Sequence, residues 1–156
     1  MPRAWRTGGI EALVDRALAL NPNFARGWYI SSTLRLFAGQ LDVAIEHAEV
    51  SLRLSPRARI GTPLITIGAA HFVSAQFDEA VPKLLLAIQE DSSFPDPYRY
   101  LAACYAHMGR LDEARDMVKQ LRAITSVVIP DASYLRNPEH RELFLSGLRL
   151  AVGEET

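Results

Sequence analysis

Small and apolar residues return along this chain in a fixed register. The phrase Leu41-Asp42-Val43-Ala44 recurs as Phe77-Asp78-Glu79-Ala80 and as Leu111-Asp112-Glu113-Ala114, at steps of 36 and 34 residues. Units set to begin at Ala25, Gly61 and Pro95 align small residues at the eighth position, Ser32, Gly68 and Ala102, and at the twentieth, Ala44, Ala80 and Ala114. Helices approach closely only where side chains are small, so each unit predicts two helices crossing at these points. The fourth position holds Trp28, Leu64 and Tyr98, and the fifteenth holds Gly39, Ala75 and Gly109, where glycine suits a helix C-cap. Asp42, Asp78 and Asp112 follow at the start of a second helix, where a carboxylate is expected to accept orphan backbone N–H bonds and meet the positive helix end. Each unit reads helix, tight turn, helix. That period belongs to stacked helical hairpins, which offer an extended binding surface and no built-in chemistry.

The flanks continue the pattern with differences. Ala17-Leu18-Ala19-Leu20-Asn21-Pro22 matches Ser51-Leu52-Arg53-Leu54-Ser55-Pro56 at an offset of 34, so residues 10–22 read as the second half of an earlier unit. Its stripe of Leu13, Ala17 and Leu20 is left exposed unless something covers it. The expectation is a C-terminal piece of a longer array; the alternatives are a fold-back of residues 1–8, or two copies covering each other as a homodimer. Downstream, Val127-Val128-Ile129-Pro130 leaves the helical pattern, and Asn137-Pro138-Glu139 restarts it with an N-cap residue, a proline and an acid. Leu143, Phe144, Leu148 and Ala151 form one apolar face of that last helix, expected to cap the third unit. Pro82 falls about one turn into a helix, where it removes an early backbone bond. The organisation predicted is one domain over 1–156, with a half repeat at 10–22, units at 25–58, 61–94 and 95–128, and a capping helix at 137–152.

Over about residues 25–126 the chain resembles the tetratricopeptide repeat (TPR) family, whose units carry an aromatic, leucine, a small residue, an aromatic, alanine and a closing proline at matched offsets. Departures are Arg35 and His71 before the expected Tyr105 at the eleventh position, and Ser92 and Ser126 where Pro56 closes the first unit. The resemblance implies an all-α, right-handed α-solenoid whose ligands lie along the concave face, at the second, fifth, ninth, twelfth and thirteenth positions of each first helix. In the first unit these are Arg26, Tyr29, Thr33, Leu36 and Phe37. In the second they are Thr62, Ile65, Ala69, Phe72 and Val73. In the third they are Asp96, Arg99, Ala103, Ala106 and His107. This implies a groove for an apolar or amphipathic peptide or helix, anchored by Tyr29, Phe37, Ile65 and Phe72. The competing reading is that the same residues contact the chain's own flanking segments, particularly 127–136. A subgroup of the family grips C-terminal carboxylates with lysine and asparagine at the fifth and ninth positions. Here those positions hold Tyr29, Ile65 and Arg99, then Thr33, Ala69 and Ala103, so the carboxylate clamp is absent.

Composition narrows the classes further. A chain of 156 residues, 49% hydrophobic and 22% charged, has the makings of one globular domain with a sizeable core. A formal net charge of −1 gives no basic excess for phosphate neutralisation, which argues against a nucleic-acid partner. No run reaches the ~18 apolar residues that would span a bilayer, and Met1-Pro2-Arg3-Ala4-Trp5-Arg6 lacks a signal-peptide core, so the expectation is a cytoplasmic chain with no membrane partner. Cys104, between Ala103 and Tyr105, reads as a small buried apolar residue. His47, His71, His107 and His140 are scattered, with no metal-ligand spacing. Gly8-Gly9 lacks the lysine of a phosphate loop, and the pairs Glu46/Glu49 and Asp112/Asp116 read as solvated helix faces. No catalytic, metal or cofactor site emerges.

Three less repetitive stretches add a second resemblance. Phe77-Asp78-Glu79-Ala80-Val81-Pro82-Lys83-Leu84-Leu85-Leu86-Ala87-Ile88, Tyr98 through Arg110 and Leu135 through Phe144 are similar to the C-terminal repeat tail of certain bacterial class III adenylate cyclases. The resemblance implies a regulatory or scaffolding tail whose partner is an attached or separate cyclase domain. It implies no cyclase activity in this chain, because the metal-binding aspartates and nucleotide-binding residues of that domain have no counterpart. Similar tails follow DNA-binding domains in some bacterial regulators, which is the alternative parentage.

Overall fold

The computed structural model describes residues 7–56 and 61–154. The described residues form eight α-helices: α1 Thr7–Leu20, α2 Ala25–Phe37, α3 Leu41–Leu54, α4 Gly61–Val73, α5 Phe77–Glu90, α6 Pro95–His107, α7 Leu111–Arg122 and α8 Pro138–Val152. There is no strand among them. Of residues 1–8, whose fold-back is one of the alternatives, residues 1–6 lie outside the described residues, and Thr7 and Gly8 begin α1. The end of the first unit at 57–58 also lies outside them.

Helices pair as α2 with α3, α4 with α5 and α6 with α7, and each second helix packs on the first helix of the next pair. The crossings fall at the small residues. Ala44, Ala80, Ala114 and Ala102 are fully buried, and a Cβ built on Gly68 would lie 2.6 Å from Leu84 Cγ. At such contact distances any larger side chain would force the helices apart. The first helices α2, α4 and α6 touch in series, whereas α3, α5 and α7 do not touch one another. The row of first helices is therefore the inside of the curve.

Local chemistry explains the turns. Gly39, Ala75 and Gly109 take φ of 82°, 57° and 77°, and the residue after each donates its N–H back across the helix end, as Gln40 to Arg35 O at 2.8 Å. This is the left-handed helix stop for which glycine carries no steric cost. Trp28 Nε1 and Tyr98 Oη make equivalent bonds, each to the carbonyl six residues upstream, Pro22 O at 2.9 Å and Ser92 O at 3.0 Å. Their shared repeat position thus ties α2 and α6 to their entry loops, whereas α4 carries Leu64 there, which has no donor. The aspartates differ from expectation. Gln40, Gln76 and Arg110 occupy the N-caps without side-chain cap bonds, and Asp42, Asp78 and Asp112 sit one residue inside the first turn. Asp112 is fully exposed and pairs with Arg115 at 3.4 Å, so what this position supplies is favourable charge at the helix end. Pro82 occupies the solvent side of α5, where its missing N–H leaves the Asp78 carbonyl without a helical partner.

The core runs from Leu36 and Ala44 through Phe72, Ala80 and Leu84 to Leu101, Val118, Phe144 and Leu148. Its C-terminal end is closed, whereas at the N-terminal end Leu13 and Leu20 on α1 are 67% and 82% exposed, with Ala17 exposed between them.

Candidate functional site

The inner row of helices contains a recess of about 250 Å³. From α2 it takes Tyr29, Thr33, Leu36 and Phe37, from α4 Thr62, Ile65, Thr66 and Ala69, and from α6 Asp96, Arg99 and Tyr100. Phe94 from the loop before α6 borders it, and Pro130 and Tyr134 supply another wall. Nine of the residues expected along the concave face therefore meet around one space: Tyr29, Thr33, Leu36, Phe37, Thr62, Ile65, Ala69, Asp96 and Arg99. Arg26 does not join them; it is exposed at the start of α2.

The remaining expected groove residues are covered by the chain itself. Helix α8 lies on the inner face of α6, with Gly147 at the crossing: a Cβ there would fall 2.7 Å from Ala103 Cβ and 2.8 Å from His107 Nε2. His107 Nε2 is 2.7 Å from Leu143 O, and because a carbonyl only accepts, that nitrogen carries the proton. The ring of His107 also stacks on Phe77, with centroids 5.6 Å apart. Phe72 has no exposed surface and is ringed by Phe77, Tyr100, His107 and Phe144 at centroid distances of 5.6–6.1 Å. Phe72 is thus a core residue and not a ligand anchor. Val73, Ala103 and Ala106 are likewise buried, so the C-terminal third of the concave face is occupied before any partner arrives.

The segment between α7 and α8 completes the cover. Arg99, 9% exposed, donates from Nη2 to Val127 O at 2.6 Å and from Nε to Val128 O at 3.3 Å, while Nη1 reaches Asp96 Oδ1 at 2.9 Å. Ala132, at φ 59°, and Leu135 are buried beneath, and Tyr134 packs on Phe37 with centroids 4.9 Å apart. Arg136 N then bonds Phe37 O at 3.1 Å, and its guanidinium reaches Glu11 on α1 at 2.9 Å. The strap crosses from α6 to α2 and turns an open trough into a recess. Tyr100 and Tyr134 both line it. Burial pushes both hydroxyls up, Tyr134 to about 12, so both are protonated at neutral pH.

Comparison with known proteins places this geometry. The model of the family described as "Tetratricopeptide repeat" matches residues 74–135. The fold is a TPR solenoid. The structure of MamA aligns at a TM-score of 0.67 with 19% identity, covering 94% of this chain and 86% of that one. TTC0263, a thermophilic TPR protein of Thermus thermophilus, aligns at 0.69 with 21% identity over 95% of this chain and 75% of its own. YrrB, described as a TPR protein with an unusual peptide-binding site, aligns at 0.61 with 22% identity over 94% and 76%. At these identities the likeness speaks for the fold alone. No curated protein sequence matches significantly, and the resemblance to adenylate cyclase tails finds no counterpart among these matches.

Five lining residues lie outside the positions that the repeat pattern singles out. Thr66 and Tyr100 occupy the sixth position of their units, Phe94 is an aromatic directly before a helix, and Pro130 and Tyr134 belong to the strap. Gly147, in the middle of the apolar face of α8, was the available signal for that helix's close approach. Chemistry outside the recess is sparse. Among the described residues no three His, Cys, Asp or Glu side chains gather for a metal ion, and no helix is long and apolar enough to cross a membrane. Cys104 is fully buried, which pushes its thiol up to about 12 and keeps it unreactive.

Proposed function

We propose that the chain is a noncatalytic TPR interaction module that binds a protein segment in the recess between α2, α4 and α6. One observation carries this reading: after the strap and α8 have covered the far part of the concave face, a space of about 250 Å³ with apolar and aromatic walls stays accessible. Tyr29, Phe37 and Ile65 are only partly buried there and are the anchors. In its parent context the module positions or modulates an attached or separate adenylate cyclase-like domain, a reading supported by the similar stretches at 77–88, 98–110 and 135–144. The test is affinity capture from the native cell. Tyr29→Ala weakens retention of the partner by about 1–2 kcal/mol and Ile65→Glu abolishes it, with circular dichroism unchanged. Retention unaffected by both substitutions would show that partners bind elsewhere.

The exposed row of Leu13, Ala17 and Leu20 favours a second reading, self-association through α1. A dimer in sedimentation that Leu13→Glu dissolves supports it; a monomer at all concentrations removes it.

A further inference from the structure

Several of the donors that line the recess are already engaged within the chain. Thr33 Oγ1 donates to Tyr29 O at 3.2 Å and Thr66 Oγ1 to Thr62 O at 3.5 Å, so both hydroxyl protons point back into their own helices and leave lone pairs toward the space. The guanidinium of Arg99 is engaged at all three nitrogens, on Val127 O, Val128 O and Asp96 Oδ1. Thr33, Thr66 and Arg99 therefore spend their donors within the chain, and the two threonine hydroxyls keep lone pairs for a ligand.

Its walls and its charge point the same way. Five aromatic rings line it, those of Tyr29, Phe37, Phe94, Tyr100 and Tyr134. Asp96 is the one carboxylate among the described lining residues, and its side chain is 53% exposed while that of Arg99 is 11% exposed. The negative member of this pair thus faces the mouth, and the positive member faces the strap. Aromatic faces attract cations through the ring quadrupole, and a carboxylate at the rim adds a directed ion pair. A carboxylate ligand would find no unengaged cation among the described lining residues.

We propose that the recess selects a cationic side chain, an arginine or lysine carried by a partner protein segment, held between the aromatic walls with its charged end at Asp96. This rests on the reading of the recess as a site for a protein segment. The partner's flanking residues are apolar, to match Ile65 and Phe37, and one basic residue fixes the register. The strap is part of the selectivity, since it engages Arg99 and contributes Tyr134.

The test uses the full chain, isotope-labelled, with three acetylated, amidated pentapeptides of sequence Ala-Leu-X-Leu-Ala in which X is arginine, citrulline or glutamate. Citrulline keeps the shape of arginine and removes its charge. The arginine peptide is expected to shift the amides of Tyr29, Ile65 and Asp96 and to bind about tenfold more tightly than the citrulline peptide. In Asp96→Asn that ratio should fall to about twofold, and Tyr29→Leu should weaken the arginine peptide about threefold more than it weakens the citrulline peptide. Equal affinity of the arginine and citrulline peptides at the same amides would overturn the cation selectivity and leave the protein-segment reading standing. If none of the three peptides moves those amides, the protein-segment reading falls with it. Methylguanidinium binding as tightly as the arginine peptide would also overturn the proposal, because the site would then take a free small cation.

Discussion

Arg99→Met is the most informative substitution, because Arg99 decides whether the concave face is a trough or a recess. Methionine keeps much of the apolar stem and removes the guanidinium. A hydrogen bond to a charged group is worth about 1.5–3 kcal/mol when buried, and the 2.6 Å bond to Val127 O is the strong one. Val127 is half exposed, so its carbonyl regains water, and the 3.3 Å bond to Val128 O is long. The ion pair with the half-exposed Asp96 adds roughly 0–1 kcal/mol. The net expectation is a loss of about 2–3 kcal/mol, which for a chain of this length lowers Tm by about 5–10 °C. Urea unfolding measures the total, and amide hydrogen exchange locates it. Amides of residues 127–136 should lose protection more than those of α4 and α5, because the strap opens without the hairpins. A change below about 0.5 kcal/mol would refute the latch, as would exchange that quickens equally everywhere.

Three further outcomes follow from the same geometry. Phe72→Ala should cost about 3–5 kcal/mol in thermal or urea denaturation, the penalty of an emptied core site and well above that of an exposed anchor; a loss under about 1 kcal/mol would place Phe72 in the open groove after all. Ala75→Gly should stabilise by about 0.5–1 kcal/mol, since relief of the left-handed strain at φ 57° exceeds the added chain entropy, and Tm reads it directly. His47 is held below the usual imidazole value by burial and then by Arg35, against smaller opposing effects of Glu46 and Asp15. Its folded pKa is depressed, so the unfolded state binds the proton first. The stability it confers is complete above about pH 6.5 and is lost as pH falls through its folded pKa, and His47→Gln should flatten the stability profile below about pH 6.5.

The repeat was legible because its determinants are local and recur. A small residue at a crossing and a left-handed stop recur in three copies, and an aromatic tied to its entry loop in two, each at a fixed offset, which makes the coincidence readable. The groove was legible only to the depth at which it follows the repeat. Tyr29, Thr33, Ile65 and Asp96 come from the periodic positions and do line the recess. Phe72 and His107 come from equally periodic positions and are covered, because what covers them is not periodic. Arg99 shows the difference most clearly. Its unit position says that it faces inward; nothing in that position says that backbone carbonyls 28 and 29 residues later will take its donors. Side chain to backbone bonds of this kind leave no mark on the acceptor's sequence, since every residue has a carbonyl.

The two ends of the solenoid solve the same problem in opposite ways, and the recess results from the asymmetry. A stack of hairpins leaves an apolar face at each end, since each unit buries its flank only against a neighbour. At the C-terminal end the covering helix does not simply add to the row: Tyr100 and Phe144 stack at 4.5 Å and Gly147 settles onto Ala103, which draws α8 to the inside of the curve. A helix placed there needs a connection from the outer helix α7 back across the concave side, and residues 127–136 make that crossing. The cover for the core is therefore also the wall of the site. Any substitution that moves α8, such as a larger residue at Gly147, should alter ligand capture although Gly147 touches no ligand, because the strap and α8 share Leu135, Arg141 and the Asn137 cap. Arg141 donates to Leu135 O at 2.7 Å and Asn137 Oδ1 accepts from Glu139 N at 2.8 Å, so strap and helix move as one body. At α1 no such cover exists among the described residues, and Leu13 and Leu20 remain open. The wall of the recess and stability at the C-terminal end are coupled by construction, and the Arg136–Glu11 ion pair at 2.9 Å extends that coupling to α1.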